Sequence, residues 1–127
     1  MSRDLPIDST YAMLGKAMDV SARRHNLITG NIANMDTVGY KAKDLDFQKT
    51  LEMEMTRGGG PLDRTHEKHL QGRPAGAFDA EMEEDAPVDL DREMSRLVEN
   101  NIRYRSTVEM MMRKVATLRD AIGEGVK

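Results

Sequence analysis

The chain has no cysteine and no tryptophan. Without cysteine it holds no disulfide, no thiolate nucleophile and no cysteine-bound metal. Aromatic residues make up only 4% of it, too few to stack bases along a nucleic-acid strand. No run is apolar enough to span a bilayer. The opening Met1-Ser2-Arg3-Asp4-Leu5-Pro6-Ile7-Asp8 also lacks the apolar stretch of a cleaved secretory signal. There is no Gly-x-Ser-x-Gly elbow, phosphate loop or dinucleotide fingerprint. His66-Glu67-Lys68-His69 places two histidines beside a carboxylate. Glycine and proline flank it, and the spacing is not that of a zinc hydrolase. No catalytic residue, metal or cofactor is expected, and the chain reads as a non-enzyme.

What is present is charge and methionine. Of 127 residues, 32% are charged, the net charge is −3 and eleven residues are methionine. Interspersed charge with a slight acidic excess does not suit a nucleic-acid partner. Methionine is adaptable filler that suits helix interfaces and specifies a unique core poorly. Such a chain is expected to bury its apolar stripes mainly against other chains.

Two stretches carry helical periodicity. Ser9 or Thr10 is placed to cap a helix starting near Tyr11. From there Tyr11, Leu14, Met18, Ser21, His25, Ile28, Ile32 and Met35 alternate by three and four, the spacing of a coiled-coil seam. Ala17, Ala22 and Leu27 widen that stripe. Gly15 and Gly30 each weaken a helix by about 1 kcal/mol relative to alanine, and Gly30 suits either close approach of another backbone or a frayed helix end. A second helix is predicted from Asp89 or Asp91 to Gly123, with acid at its positive end and glycine at its stop. Its seam reads Leu90, Met94, Leu97, Asn101, Tyr104, Val108, Met111, Val115, Leu118 and Ile122. Asn101 within it suits a registry role or a polar seam edge.

Between the helices the pattern breaks. Residues 44–55 read as a short helix or, at Leu45 and Phe47, a strand. Arg57-Gly58-Gly59-Gly60-Pro61 and Gln71-Gly72-Arg73-Pro74-Ala75-Gly76 are breaks. The acidic run Asp79, Glu81, Glu83, Glu84, Asp85, Asp89 and Asp91 is too polar to offset its ordering entropy, so mobility is expected there. Arg103, Arg105, Arg113, Lys114 and Arg119 make the second helix basic on its outer faces, either as a solvated face or to meet acid on a neighbouring copy.

The most informative stretch is Asn31-Ile32-Ala33-Asn34-Met35-Asp36-Thr37-Val38-Gly39-Tyr40-Lys41. It ends the first helix on residues that tolerate turn or left-handed backbone. Asn31 and Asn34 lie on one side of that helix, with carboxamides that both donate and accept. They suit tying the helix end to a neighbouring chain.

This stretch resembles the N-terminal signature of the bacterial flagellar axial proteins of rod, hook and junction, through Asn31, Ile32, Ala33, Asn34, Thr37, Gly39 and Tyr40. The family often has proline before the glycine; here Val38 stands there. Lys41-Ala42-Lys43-Asp44-Leu45-Asp46-Phe47 looks most like the proximal rod type, and the resemblance resumes from Val88 to the C-terminus. It implies a structural subunit, polymerising with other rod proteins in a helical lattice, that transmits torque for motility. It also implies type III export without a cleaved signal, a place in the periplasmic part of the basal body, and contacts with the inner-membrane ring or its junction protein and with the export apparatus. The rivals from the residues alone are a cytosolic coiled-coil adaptor or secretion chaperone, and a small metal-dependent enzyme using His66, His69 and the acidic run.

The expected architecture is mainly α: two long terminal coiled-coil-like helices joined by a flexible, largely irregular middle. The expected division is 1–40 for the first helix and corner, 41–88 for a variable, partly disordered middle, and 89–127 for the second helix, together one axial rod domain.

Overall fold

A computed structural model describes residues 6–56 and 81–124. It is mainly helical. Helix α1 spans Pro6–Ala33, strand β1 Lys43–Leu45, helix α2 Phe47–Thr56, strand β2 Glu81–Glu83 and helix α3 Leu90–Glu124. The glycine-rich break, His66 and His69 lie outside the described residues.

Helix α1 begins a turn before the Ser9 or Thr10 cap expected from sequence. Proline fits the first turn, where its missing N–H would have no partner and its fixed φ is already helical. Helix α3 begins as its acidic start suggests: Asp89 Oδ1 accepts the N–H of Asp91 (3.0 Å) and of Arg92 (3.4 Å), satisfying donors that have no partner inside the helix. Asp46 does the same for α2, accepting from Lys49 N–H at 2.9 Å.

The described middle is more ordered than composition suggests. The 44–55 stretch resolves into strand and then helix, so both readings of it apply in turn. β1 and β2 pair antiparallel, with Lys43 opposite Glu83 and Leu45 opposite Glu81. Counter-charges hold the acidic strand down: Glu81 meets Arg23, and Glu84 meets Arg92 and Arg96. Hydrophobicity alone is a poor guide here, because ion pairs supply the order, one of them reaching across 58 residues.

α1 and α3 form an antiparallel pair. Asn31 lies against Glu93 near one end and Ser21 against Asn100 further along. The buried face of α1 is Leu14, Ala17, Ser21, Arg24, Ile28 and Asn31, flanked by Val20 and Leu27. Leu14 and Ile28 belong to the seam read from sequence, while Met18 and Ile32 are half-buried at its edge and His25 is exposed. The face that closes within one chain thus keeps Leu14, Ser21 and Ile28 but takes Ala17, Arg24 and Asn31 in place of their neighbours Met18, His25 and Ile32. It is set by polar partners, since on α3 the buried positions are Glu93, Asn100 and Thr107, seven apart.

Asn101 is consequently exposed, and its neighbour Asn100 is buried and donates to the Ser21 carbonyl at 2.9 Å. Leu97, Val108, Met111 and Leu118 are half-buried, while Met94, Tyr104, Val115 and Ile122 are exposed. A small apolar cluster of Val20, Leu27 and Leu45, with Phe47 against it, joins α1 to the strand and to α2.

Candidate functional site

The corner after α1 is built by its own residues. Asn34 ends the helix: its N–H and its side-chain Nδ2 both donate to the Gly30 carbonyl, at 3.1 and 2.8 Å. Its carbonyl then accepts from Thr37 N–H at 2.9 Å. A second turn follows, closed by Tyr40 N–H to the Thr37 carbonyl at 3.1 Å. Gly39 is its third residue, with φ of 78°, a left-handed conformation that costs other residues about 1–2 kcal/mol. Val38 sits at the position where such turns favour proline.

That turn sends the chain back along α1 and places Lys43 beside Asn31. Antiparallel pairing alternates, so a strand residue between bonded pairs aims its N–H and C=O away from its partner strand. Glu84 N–H bonds the Ala42 carbonyl at 2.8 Å, and Lys43, next along, faces α1. Asn31 meets it as another strand would: Oδ1 accepts Lys43 N–H and Nδ2 donates to the Lys43 carbonyl, both at 2.8 Å. Nδ2 also donates to Glu93 Oε2 at 2.9 Å, and Tyr40 Oη donates to Asn31 Oδ1 at 3.2 Å. Asn31 is fully buried, and its two donors and two acceptor sites are all used.

Glu93 is likewise fully buried, with Arg96 donating to its Oε1 at 2.7 Å. Around it runs a ladder of charge. Arg24 grips Asp44 with two bonds, at 3.0 and 3.2 Å, the fork geometry that makes Arg–carboxylate pairs strong. The hydrogen bond to Asp44 raises the Arg24 pKa above its ordinary value, against burial. Arg96 is raised too: burial lowers it, but Glu84, Asp44 and Glu93 together outweigh that. Both guanidiniums stay charged, and they clamp β1, β2 and α3 onto α1.

Of the motif residues, the structure gathers Asn31, Asn34, Thr37, Gly39 and Tyr40 into one corner. Ile32 is half-buried, and Ala33 is exposed on the helix beside it. The bonds of Asn31 fall inside the chain, whereas the sequence suggested a neighbour. Glu93, Asp44, Arg24 and Arg96 were not singled out from sequence. The available signal was a polar residue every seventh position of α3, in line with a buried asparagine on α1. Among the described residues, no helix is long and apolar enough to cross a membrane.

A helical hairpin clasped at its corner, with most of its apolar side chains facing outwards, is the form of a subunit that completes its packing in an assembly. The family described as Flagella basal body rod protein matches residues 14–41, the first helix and its corner. Relatives align along nearly the whole length. The flagellar basal body rod protein FlgB of Aeromonas hydrophila is 29% identical over 126 residues, covering 93% of this chain and 96% of its own. Those of Proteus mirabilis (strain HI4320) and Escherichia coli (strain K12) are each 26% identical over 133 residues, covering 94% of this chain and 97% and 96% of their own. This chain is thus similar over nearly its whole length to flagellar basal body rod proteins of the FlgB type.

Proposed function

We propose that this chain is a structural subunit of the proximal rod that polymerises with other rod proteins into the flagellar drive shaft. The observation that carries this is the motif corner: one buried asparagine fastens the helix, the returning strand and α3 into a single stiff unit. Long helices fixed to one another resist twist, which is what a torque-bearing shaft requires. The three-part division at about residues 40 and 88 then describes one axial domain rather than separate folds.

In the assembly, the positions left half-buried or exposed complete the seams: Met18 and Ile32 on α1, and Met94, Leu97, Asn101, Tyr104, Val108, Met111, Val115, Leu118 and Ile122 on α3. Their burial contributes about 25 cal/mol per Å² of apolar area, less the cost of association. Contact with unlike patches on neighbours builds an open helical lattice. Further partners in this reading are the inner-membrane ring or its junction protein and the export apparatus, which passes the chain into the periplasmic part of the basal body.

Electron cryotomography of basal bodies in cells lacking this chain tests the proposal. A missing rod above an intact inner-membrane ring is expected. An intact rod and hook would overturn it in favour of a cytosolic coiled-coil adaptor or secretion chaperone.

A further inference from the structure

Val20 and Leu27 turn one side of the α1–α3 pair towards β1 and α2. The other side carries a groove whose polar floor is incomplete. Ser21 and Asn100 form the floor, and His25, Asn101, Tyr104 and Arg105 stand at the rim. Both floor residues are buried. Asn100 Nδ2 is used on the Ser21 carbonyl, at 2.9 Å. Asn100 Oδ1 and Ser21 Oγ have no hydrogen-bond partner. Buried polar atoms are costly to leave unpaired, so the floor calls for a group that both donates and accepts. Met18, seven residues before His25, and Met94 and Val108, seven either side of Asn101, carry the groove along both helices.

Beside the groove, the outer face of α1 is narrow. Ala12, Asp19, Ala22, Asn26 and Ala33 are exposed along it at intervals of three, four or seven, with Gly15 among them. The small side chains let another helix come close. Asp19 is exposed without an ion-pair partner among the described residues, and so is Arg105 at the groove rim.

We infer that the outer face of α1 in a second copy lies in this groove. Its Asn26 supplies what the floor lacks: the amide donates to Asn100 Oδ1 and the carbonyl accepts from Ser21 Oγ. The rim side chains part to admit it. Its Asp19 meets Arg105. The spacings agree when the second α1 runs antiparallel to the receiving α3. Asp19 then stands about 10.5 Å along from Asn26, and Arg105 about 7.5 Å along from Asn100 in the same direction. The arginine side chain spans the difference.

The contact has a direction. Within one chain Ser21 is level with Asn100, and across the contact Asn26 takes that level. The two copies therefore point the same way with an axial offset of five residues, about 7.5 Å. No two-fold axis relates parallel copies with such an offset, so the contact does not close on a pair and repeats as a helix. The inference rests on the assembly reading above and adds to it the faces and charges of one contact.

A benzophenone amino acid in place of Asn101 tests it in basal bodies from swimming cells. Irradiation is expected to give a dimer of this chain, and mass spectrometry to map the link to α1 of the second copy near Asn26. Asp19→Arg or Arg105→Asp alone should cut the dimer yield about tenfold, since like charges then face each other. The two together should restore it. Circular dichroism of each purified variant checks that both helices still form. A link confined to one chain, a link to a different protein, a yield indifferent to either reversal, or a double variant no better than the singles would overturn the contact. A rod that is nevertheless missing in cells lacking this chain would leave the assembly reading standing.

Discussion

Asn31 donates to the Glu93 carboxylate at 2.9 Å across 62 residues of sequence, with both side chains fully buried. The same carboxamide closes both backbone groups of Lys43. One side chain therefore ties α1, β1 and α3 to one another, and its removal leaves several buried polar groups without partners.

Asn31→Ala should destabilise the chain by about 2–4 kcal/mol, because each buried group left unpaired costs about 1–3 kcal/mol. Asn31→Asp keeps the size but loses both donors and sets a second acid against Glu93, so its loss should be at least as large. Thermal unfolding followed by circular dichroism measures both. A loss below about 0.5 kcal/mol, the size of an ordinary surface change, would remove the clasp from the account.

Gly39 and Val38 should respond in opposite directions. Gly39→Val forces a β-branched residue into left-handed backbone and should cost at least about 1–2 kcal/mol. It should also abolish motility with expression intact. Val38→Pro presets the turn and should add about 0.4–1 kcal/mol by restricting the unfolded chain. Val38 is fully exposed, so nothing in the fold opposes the ring. Urea unfolding of the two variants gives the sign of each.

A methyl group added at Gly15 meets nothing within 4 Å, and at Gly30 it meets only the Tyr40 hydroxyl at 4.0 Å. Gly15→Ala and Gly30→Ala should each stabilise the isolated chain by about 0.5–1 kcal/mol. Motility assays then separate two roles for these glycines. A variant that melts higher yet does not swim identifies a helix position that needs a close neighbour in the rod.

Arg24→Ala should cost about 3 kcal/mol or more, since it leaves Asp44 without its main partner in a mostly buried site. A base whose folded pKa lies above its ordinary value contributes stability that is complete below the ordinary value. That contribution is lost only as pH rises through the folded one. For Arg24 both lie at strongly alkaline pH. The difference in melting temperature between wild type and Arg24→Ala should therefore be the same at about pH 6 and about pH 9. A difference that shrinks towards pH 9 would show that another group supplies the charge.

The two long helices, the start of α3 and the end of α1 were legible in the sequence because a three-four repeat, an acidic start and turn residues act locally, whereas the start of α1 at Pro6 was not. The corner was legible for the same reason: Asn34, Thr37 and Gly39 form turns from bonds spanning three or four residues, and only glycine enters the left-handed region freely. The Asn31–Glu93 bond was not, because nothing local marks a glutamate for complete burial. The ordering of the acidic strand was hidden likewise, since Arg23, Arg92 and Arg96 come from other elements.

The sequence by itself determined the helices, the corner and the surplus of apolar side chains over what one small chain can bury. Those follow from backbone preference and from the spacing of residue types. Only the tertiary structure decided which face of each helix closes inwards. Periodicity is unchanged when a helix turns by one residue, so the choice between Asn100 and Asn101 fell to the geometry of buried hydrogen bonds, which exist only once α1, β1 and α3 have met.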